Sequence, residues 1–144
     1  MSVARAFPRL SPDNHSIKSP RDQGYNCIAW AAGETSRFWW PDAMQQAYWP
    51  PGVPREVTID AFVRAYATLG YAQCDDAVLE PGFEKTVIYA IGATPTHAAR
   101  QLATGAWTSK LGRQEDIEHA TPEDVEGPAY GKVTVVLRRR VAAT

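Results

Sequence analysis

The sequence predicts an α+β domain, and three observations carry that reading. A short, wholly apolar helical segment begins at Cys27. An amphipathic helix follows, opened by Thr58 and closed by Gly70. Only after these come the β-rich runs KTVIYAI (85–91) and KVTVVL (132–137). Helices first and strands second is the order of an α+β fold with a small antiparallel sheet. A chain of 144 residues is the size of one domain and buries a core without staples.

Residues 1–24 are rich in Pro, Ser, Asp and Arg and are expected to form an irregular arm, with the single domain spanning 25–141. In the first helix Asn26 is a good N-cap and Gly33 a C-terminal stop, and Glu34 to Phe38 are candidates to prolong it. Residues 39–57 read as a long loop, with Trp39, Trp40 and Trp49 among Pro41, Pro50, Pro51 and Pro54, and one or two helical turns are open to residues 42–48. Thr58 caps the clearest helix, in which Ile59, Phe62, Val63, Tyr66 and Leu69 recur at helical spacing. Strands are then expected at 85–91, 96–102, 106–110 and 132–137. A turn over Gly92 to Pro95 and a hairpin through Ala103, Thr104 and Gly105 connect the first three. The triplet Arg138-Arg139-Arg140 reads as a solvated strand end.

Composition narrows the function. Fifteen Lys and Arg against sixteen Asp and Glu leave a formal charge of -1, so no nucleic-acid partner is expected. Two cysteines exclude a disulfide scaffold. No apolar run of about 18 residues is present, so no membrane partner is expected. No signal-peptide core is evident, and the cytoplasm is the simplest address. The glycines fall into neither GxGxxG nor GxxxxGK, so no nucleotide cofactor is expected.

The candidate chemistry centres on Cys27. A cysteine in the first turn of a helix meets the positive end of the helix dipole, which favours its thiolate. Cys74, beside Asp75 and Asp76, has no such setting. A thiol nucleophile needs a base, and a strand-borne His97 is the candidate. A third polar group orients that ring. His119 is preferred, because alternation about Ile117 puts it on the protected side of its strand. Asp116 is next, and Ser109 is another polar candidate on the hairpin. Each residue also has a plainer use: Cys27 as a small buried hydrophobe, His97 as a hydrogen-bonded sheet residue, and His119 as a group closing the Thr121-Pro122 turn. A Cys2His2 zinc centre from Cys27, Cys74, His97 and His119 lacks any close ligand pair, so no metal is expected.

The segment Asn26-Cys27-Ile28-Ala29-Trp30-Ala31 resembles the nucleophile helix of papain-like cysteine hydrolases, and more narrowly that of the NlpC/P60-like amidases and peptidases. The stretches His97-Ala98-Ala99-Arg100-Gln101 and Gly105-Ala106-Trp107-Thr108-Ser109-Lys110-Leu111-Gly112 resemble the HxxRQ and GxWxxKxG blocks of small bacterial and phage-associated proteins of that kind. The resemblance implies a papain-like fold, with a nucleophile helix packed on a small antiparallel sheet. It implies a cysteine amidase or peptidase in which Cys27 attacks and His97 carries the proton. The Cys27 backbone N–H helps hold the oxyanion, and Gln23, four residues ahead of the cysteine, is a candidate second donor, as a glutamine ahead of the cysteine is in papain-like enzymes. Many NlpC/P60-like sequences have Asp directly before the cysteine; here Asn26 stands there. A peptide-like or amide-containing substrate then fits a cleft rimmed by Tyr25, Trp39, Trp40 and Trp107. The alternative from another class is a non-catalytic papain-like binding or immunity-type module. The oligomeric state is left open by the sequence.

Overall fold

Seven strands in the order β1-β6-β5-β4-β3-β7-β2 form one sheet, antiparallel at every pairing. The computed structural model describes residues 15–19, 26–33, 37–110 and 116–141. In chain order the elements are β1 (His15–Ser19), α1 (Cys27–Ala31), α2 (Ile59–Ala67), β2 (Ala72–Gln73), β3 (Phe83–Ile91), β4 (Thr94–Gln101), β5 (Trp107–Lys110), β6 (Asp116–His119), a 3-10 turn (Pro122–Val125) and β7 (Lys132–Arg140). The α+β class stands, with a Cys27-bearing helix packed on an antiparallel sheet.

Both helices start where their caps predict. The Thr58 hydroxyl accepts from the Ala61 N–H, and α2 buries Ala61, Phe62, Ala65 and Tyr66. The Asn26 side chain caps α1, which ends at Ala32 and passes into Gly33 at φ 84°. A left-handed residue just beyond the cap is glycine's usual place.

Three strands depart from the sequence expectation. His15–Ser19 pairs with β6, so part of the expected irregular arm is an edge strand. Ala72–Gln73 pairs with the far end of β7. Asp116–His119 is a full member of the sheet, between β5 and β1. The first two are too short or too polar to show a β pattern, the third shows only the alternation about Ile117, and pairing supplies the order that propensity does not. The last strand also runs on to Arg140. Two of its triplet are paired at the surface, Arg138 with Glu80 at 2.6 Å and Arg139 with Glu84 at 3.0 Å and over Tyr71, while Arg140 is exposed as a solvated strand end. Arg140 lies over the Phe83 ring. Residues 42–48 form turns without helix.

The sheet has a core on each face. On one, Ile88, Ala98, Val135 and Leu137 pack with α1, α2, Trp39 and Trp49. On the other, Val87, Tyr89, Ala99, Trp107 and Ile117 pack under Val125 of the 3-10 turn, with Tyr130 at the edge. β3 is buried on both sides, which is why its sequence is continuously apolar rather than alternating. Gly131 sits at φ 75°, and a Cβ there would lie 2.1 Å from the Ala90 carbonyl oxygen, so only glycine passes the sheet edge at that point.

Candidate functional site

The start of α1 is held by one amide. Asn26 Oδ1 accepts from the N–H groups of Ala29 and Trp39, both at 3.1 Å, while its Nδ2 donates to the Trp39 carbonyl at 2.8 Å. An aspartate could make the first two bonds and not the third. That explains why Asn stands where the resemblance leads one to look for Asp: the amide both caps the helix and clips the tryptophan loop to it. Farther along, Trp30 Nε1 donates to Thr108 Oγ1 at 3.0 Å, and the Tyr66 hydroxyl donates to the Ile28 carbonyl at 2.9 Å.

Cys27 is the first residue of α1 and is 7% exposed, in the core with Ile28, Ala98 and Tyr66. Burial pushes its thiol up to about 11 from an ordinary value near 9. The backbone N–H groups of Ala98, Ile28 and Cys27 and the charge of Lys110 pull the other way and lose. The expected helix-dipole activation is therefore overridden: five residues carry little dipole, and desolvation dominates. At pH 7 only about one molecule in ten thousand would carry the thiolate. Cys74, half-buried, is not paired with it; burial raises its thiol too.

His97 does not face Cys27. Along β4, Ala98 joins the Cys27 core, whereas His97 and Ala99 point to the opposite face. The His97 ring stacks on Tyr130, with centroids 3.9 Å apart and planes 5° from parallel, and lies 5.1 Å from Tyr89. The papain-like pairing of thiol and imidazole fails by one step of strand alternation. The sequence offers no hint of that parity, because Ala98 and Ala99 are both apolar and either can face α1.

The predicted orienting group is nevertheless on His97's own side. Trp107 pairs with His119 in register, and Ser109 with Ile117. His97 Nε2 lies 3.1 Å from Ser109 Oγ, and Ser109 Oγ lies 2.7 Å from His119 Nε2. His119 Nδ1 lies 2.8 Å from the Thr121 carbonyl, so it also closes that turn. Ser109, the third polar candidate, is the residue that touches His97, and His119 is reached through it. All three side chains are almost wholly buried. Burial, and then the charge of His119, hold His97 well below the ordinary imidazole range. Asp116 opens β6 opposite Lys110; its side chain lies outside the described residues. Gln23 and Tyr25 also lie outside them.

The tryptophans divide. Trp107 is buried in the second core, on the face away from α1, and is not in the lining of the clefts beside that helix. Trp49 is buried on Phe62, its Nε1 donating to the Pro54 carbonyl at 2.9 Å. Trp40 and Trp39 line neighbouring clefts beside α1. The larger, about 740 Å³, runs between Asn26, Phe38, Trp40, Gln46 and Tyr48. The smaller, about 460 Å³, is lined by Trp39, Ala32, Pro51 and Leu69. Arg37 lines both, with its guanidinium 3.6 Å over the Tyr48 ring. The loop is braced by Asp42, whose carboxylate accepts from the N–H groups of Gln46 at 2.8 Å and Ala47 at 3.0 Å and pairs with Arg55 at 3.2 Å. Those bonds hold the Asp42 carboxyl below its usual range. Arg37 and Phe38, candidates to prolong α1, are not helical and lead into the tryptophan loop, and Tyr48 lies within that loop; residues 34–36 lie outside the described residues.

Among the described residues no group of three or more His, Cys, Asp or Glu is placed to hold a metal ion, and no helix is long and apolar enough to cross a membrane. Comparison with curated proteins and with solved structures gives no match. Residues 16–138, most of the chain, match the family described as a domain of unknown function, DUF7689, and the chain belongs to that family.

Proposed function

We propose that this chain is a non-catalytic binding module on a papain-like scaffold, and that it takes a peptide-like ligand in the aromatic cleft beside α1. The scaffold reading is supported by the order of helix and sheet and by the placing of Cys27 at the helix start. The observation that carries the binding reading is a division of roles at that helix. Its thiol is buried in the core away from His97 and His119, while the loop clipped to Asn26 opens a cleft of about 740 Å³ walled by Phe38, Trp40 and Tyr48. That volume is within the range of ligand sites, and aromatic walls with a few polar groups suit an amide backbone and its side chains.

The test pairs binding with thiol chemistry. Blocked tetrapeptides with aromatic, proline, acidic or basic centres are titrated against the intact chain by amide NMR. Binding that shifts residues 37–48, weakens at least tenfold in Trp40→Ala and persists in Cys27→Ala supports the module. Iodoacetamide at pH 7 is expected to label Cys27 slowly, at a rate unchanged by His97→Ala. Fast labelling that His97→Ala abolishes would restore the cysteine amidase or peptidase and overturn the binding reading.

A further inference from the structure

The chain His97–Ser109–His119–Thr121 has a direction. The Thr121 carbonyl can only accept, so His119 Nδ1 carries the proton that it shares with that oxygen at 2.8 Å. In a neutral ring His119 Nε2 is then the bare acceptor, and Ser109 donates to it at 2.7 Å. Ser109 Oγ is left to accept from His97 Nε2 at 3.1 Å, so His97 is the Nε2–H tautomer. Its Nδ1 is a bare lone pair, buried, with no hydrogen-bond partner among the described residues.

A proton entering this chain leaves it one donor too many. Added to His97, it makes Nδ1–H a donor with no acceptor. Added to His119 Nε2, it leaves the Ser109 oxygen two arrangements. Either it accepts from both rings and its own O–H loses its acceptor, or the hydroxyl turns to donate to His97 Nε2 and the His97 proton moves to Nδ1. In each case a buried lone pair, which is tolerated, gives way to a buried unpaired donor, which is costly.

The structure above the chain is the segment 121–131. It is held to the sheet through this network, two neighbouring bonds, the Val133 N–H of β7 on Glu126 at 2.9 Å, and Val125 in the second core. His119 donates to the Thr121 carbonyl, the Tyr89 hydroxyl to the Pro122 carbonyl, and the Thr96 hydroxyl to the Tyr130 carbonyl. The Tyr130 ring lies flat on His97 itself. Among the described residues the surrounding groups do not supply an acceptor. Tyr89 comes from β3, and Ser109 from β5 is already used at both bonds. His15 of β1 stands opposite His119 in register. In the covering segment the Asp124 carboxylate accepts from the Thr121 N–H and Glu126 from the Val133 N–H. Glu123, with Asp124 and Glu126, acts on Tyr89 only through its charge. Lys132 of β7 is exposed.

We propose that His97, Ser109 and His119 form an acid-opened latch, which clamps the segment 121–131 over the second core at neutral pH and frees it when the chain takes up a proton. The latch is independent of the ligand assigned to the aromatic cleft, which lies on the other face.

Histidine-ring nitrogen NMR at pH 7.5 tests the direction: the expected tautomers are Nε2–H for His97 and Nδ1–H for His119, and the reverse in either ring overturns the proposal. Amide exchange, corrected for intrinsic rates, tests the opening. Between pH 7.5 and 5.5, protection over 121–131 is expected to fall at least tenfold more than over β3 and β7. His97→Gln keeps a donor for Ser109 and can turn its amide to accept, so it should flatten that difference. Uniform loss of protection, or a local loss that persists in His97→Gln, overturns the latch. If His97→Gln does not fold, the ring tautomers and exchange of the native chain decide.

Discussion

Asn26 shows how much one side chain contributes when it meets three backbone groups at once. It satisfies the Ala29 N–H inside the helix and both the N–H and the carbonyl of Trp39 in the loop. Asn26→Asp keeps the cap and loses the donor, leaving a carboxylate beside the Trp39 carbonyl. We expect a loss of about 1–3 kcal/mol, the cost of unmaking a part-buried hydrogen bond, read from urea denaturation midpoints at pH 7. An unchanged midpoint would show that the clip to Trp39 contributes nothing. Cys27, the neighbouring residue, shows the reverse case. Helix position argues for a reactive thiol, but burial sets its chemistry, because transferring the thiolate from water costs more than a five-residue helix returns.

At the scale of elements, α1 is too short to hold itself. Isolated helices below roughly 12 residues are marginal in water. These five residues depend on contacts from outside the helix: the Asn26 cap, the Trp30 bond to β5 and the Tyr66 bond to the Ile28 carbonyl. Tyr66→Phe removes a hydroxyl from a fully buried site and leaves that carbonyl only its bond from the Ala32 N–H at 3.2 Å. The expected destabilisation is about 0.5–1.5 kcal/mol, accompanied by faster amide exchange in residues 27–33. A variant with native stability and unchanged exchange there would assign the hold on α1 to packing alone. The opposite end of the sheet is braced by charge. Lys85, 3% exposed, reaches Asp76 at 3.1 Å and Glu80 at 3.6 Å, while Glu80 also meets Arg138. The basic triplet thus continues β7 because acidic partners wait for it on the β2–β3 connection and on β3 itself.

The whole molecule carries a pH window set by two buried groups kept neutral. His97 is held well below its ordinary value of 6.5, so the unfolded chain binds that proton more readily than the folded one. Its contribution to stability is therefore complete above pH 6.5 and is lost as pH falls below it, by up to about 1.4 kcal/mol per pH unit. Cys27 has the opposite sign: with its thiol raised to about 11 from near 9, stability is complete below pH 9 and declines between 9 and 11. Tyr66 and Tyr89, raised by burial, extend that alkaline loss. Urea midpoints measured from pH 5 to 10 should form a plateau between about 6.5 and 9 that falls on both sides. In His97→Gln the acid side should flatten. An acid slope unchanged by that substitution would place the responsible protons elsewhere.

The sequence by itself determined the elements whose signals are local. The Asn26 and Thr58 caps, the 3.6-residue rhythm of α2, the apolar runs of β3 and β7 and the turn glycines are written within a few residues of where they act. It also determined that His119 faces the protected side, because Ile117 between two acidic residues leaves only one parity that buries an apolar side chain. Only the tertiary structure decided which way β4 faces. The run His97-Ala98-Ala99-Arg100 has two small apolar residues in succession, and either alternation buries one of them. The choice is made by pairing with β3 and β5, which places Ala98 under α1 and sends His97 to Ser109 on the other side. The edge strand β1 was likewise beyond reach, since five mostly polar residues gain order from β6 and not from their own propensity. A cap or a rhythm is a property of neighbours in sequence. The face a strand turns to its core depends on residues dozens of positions away, and here that long-range choice separated the thiol from the imidazole.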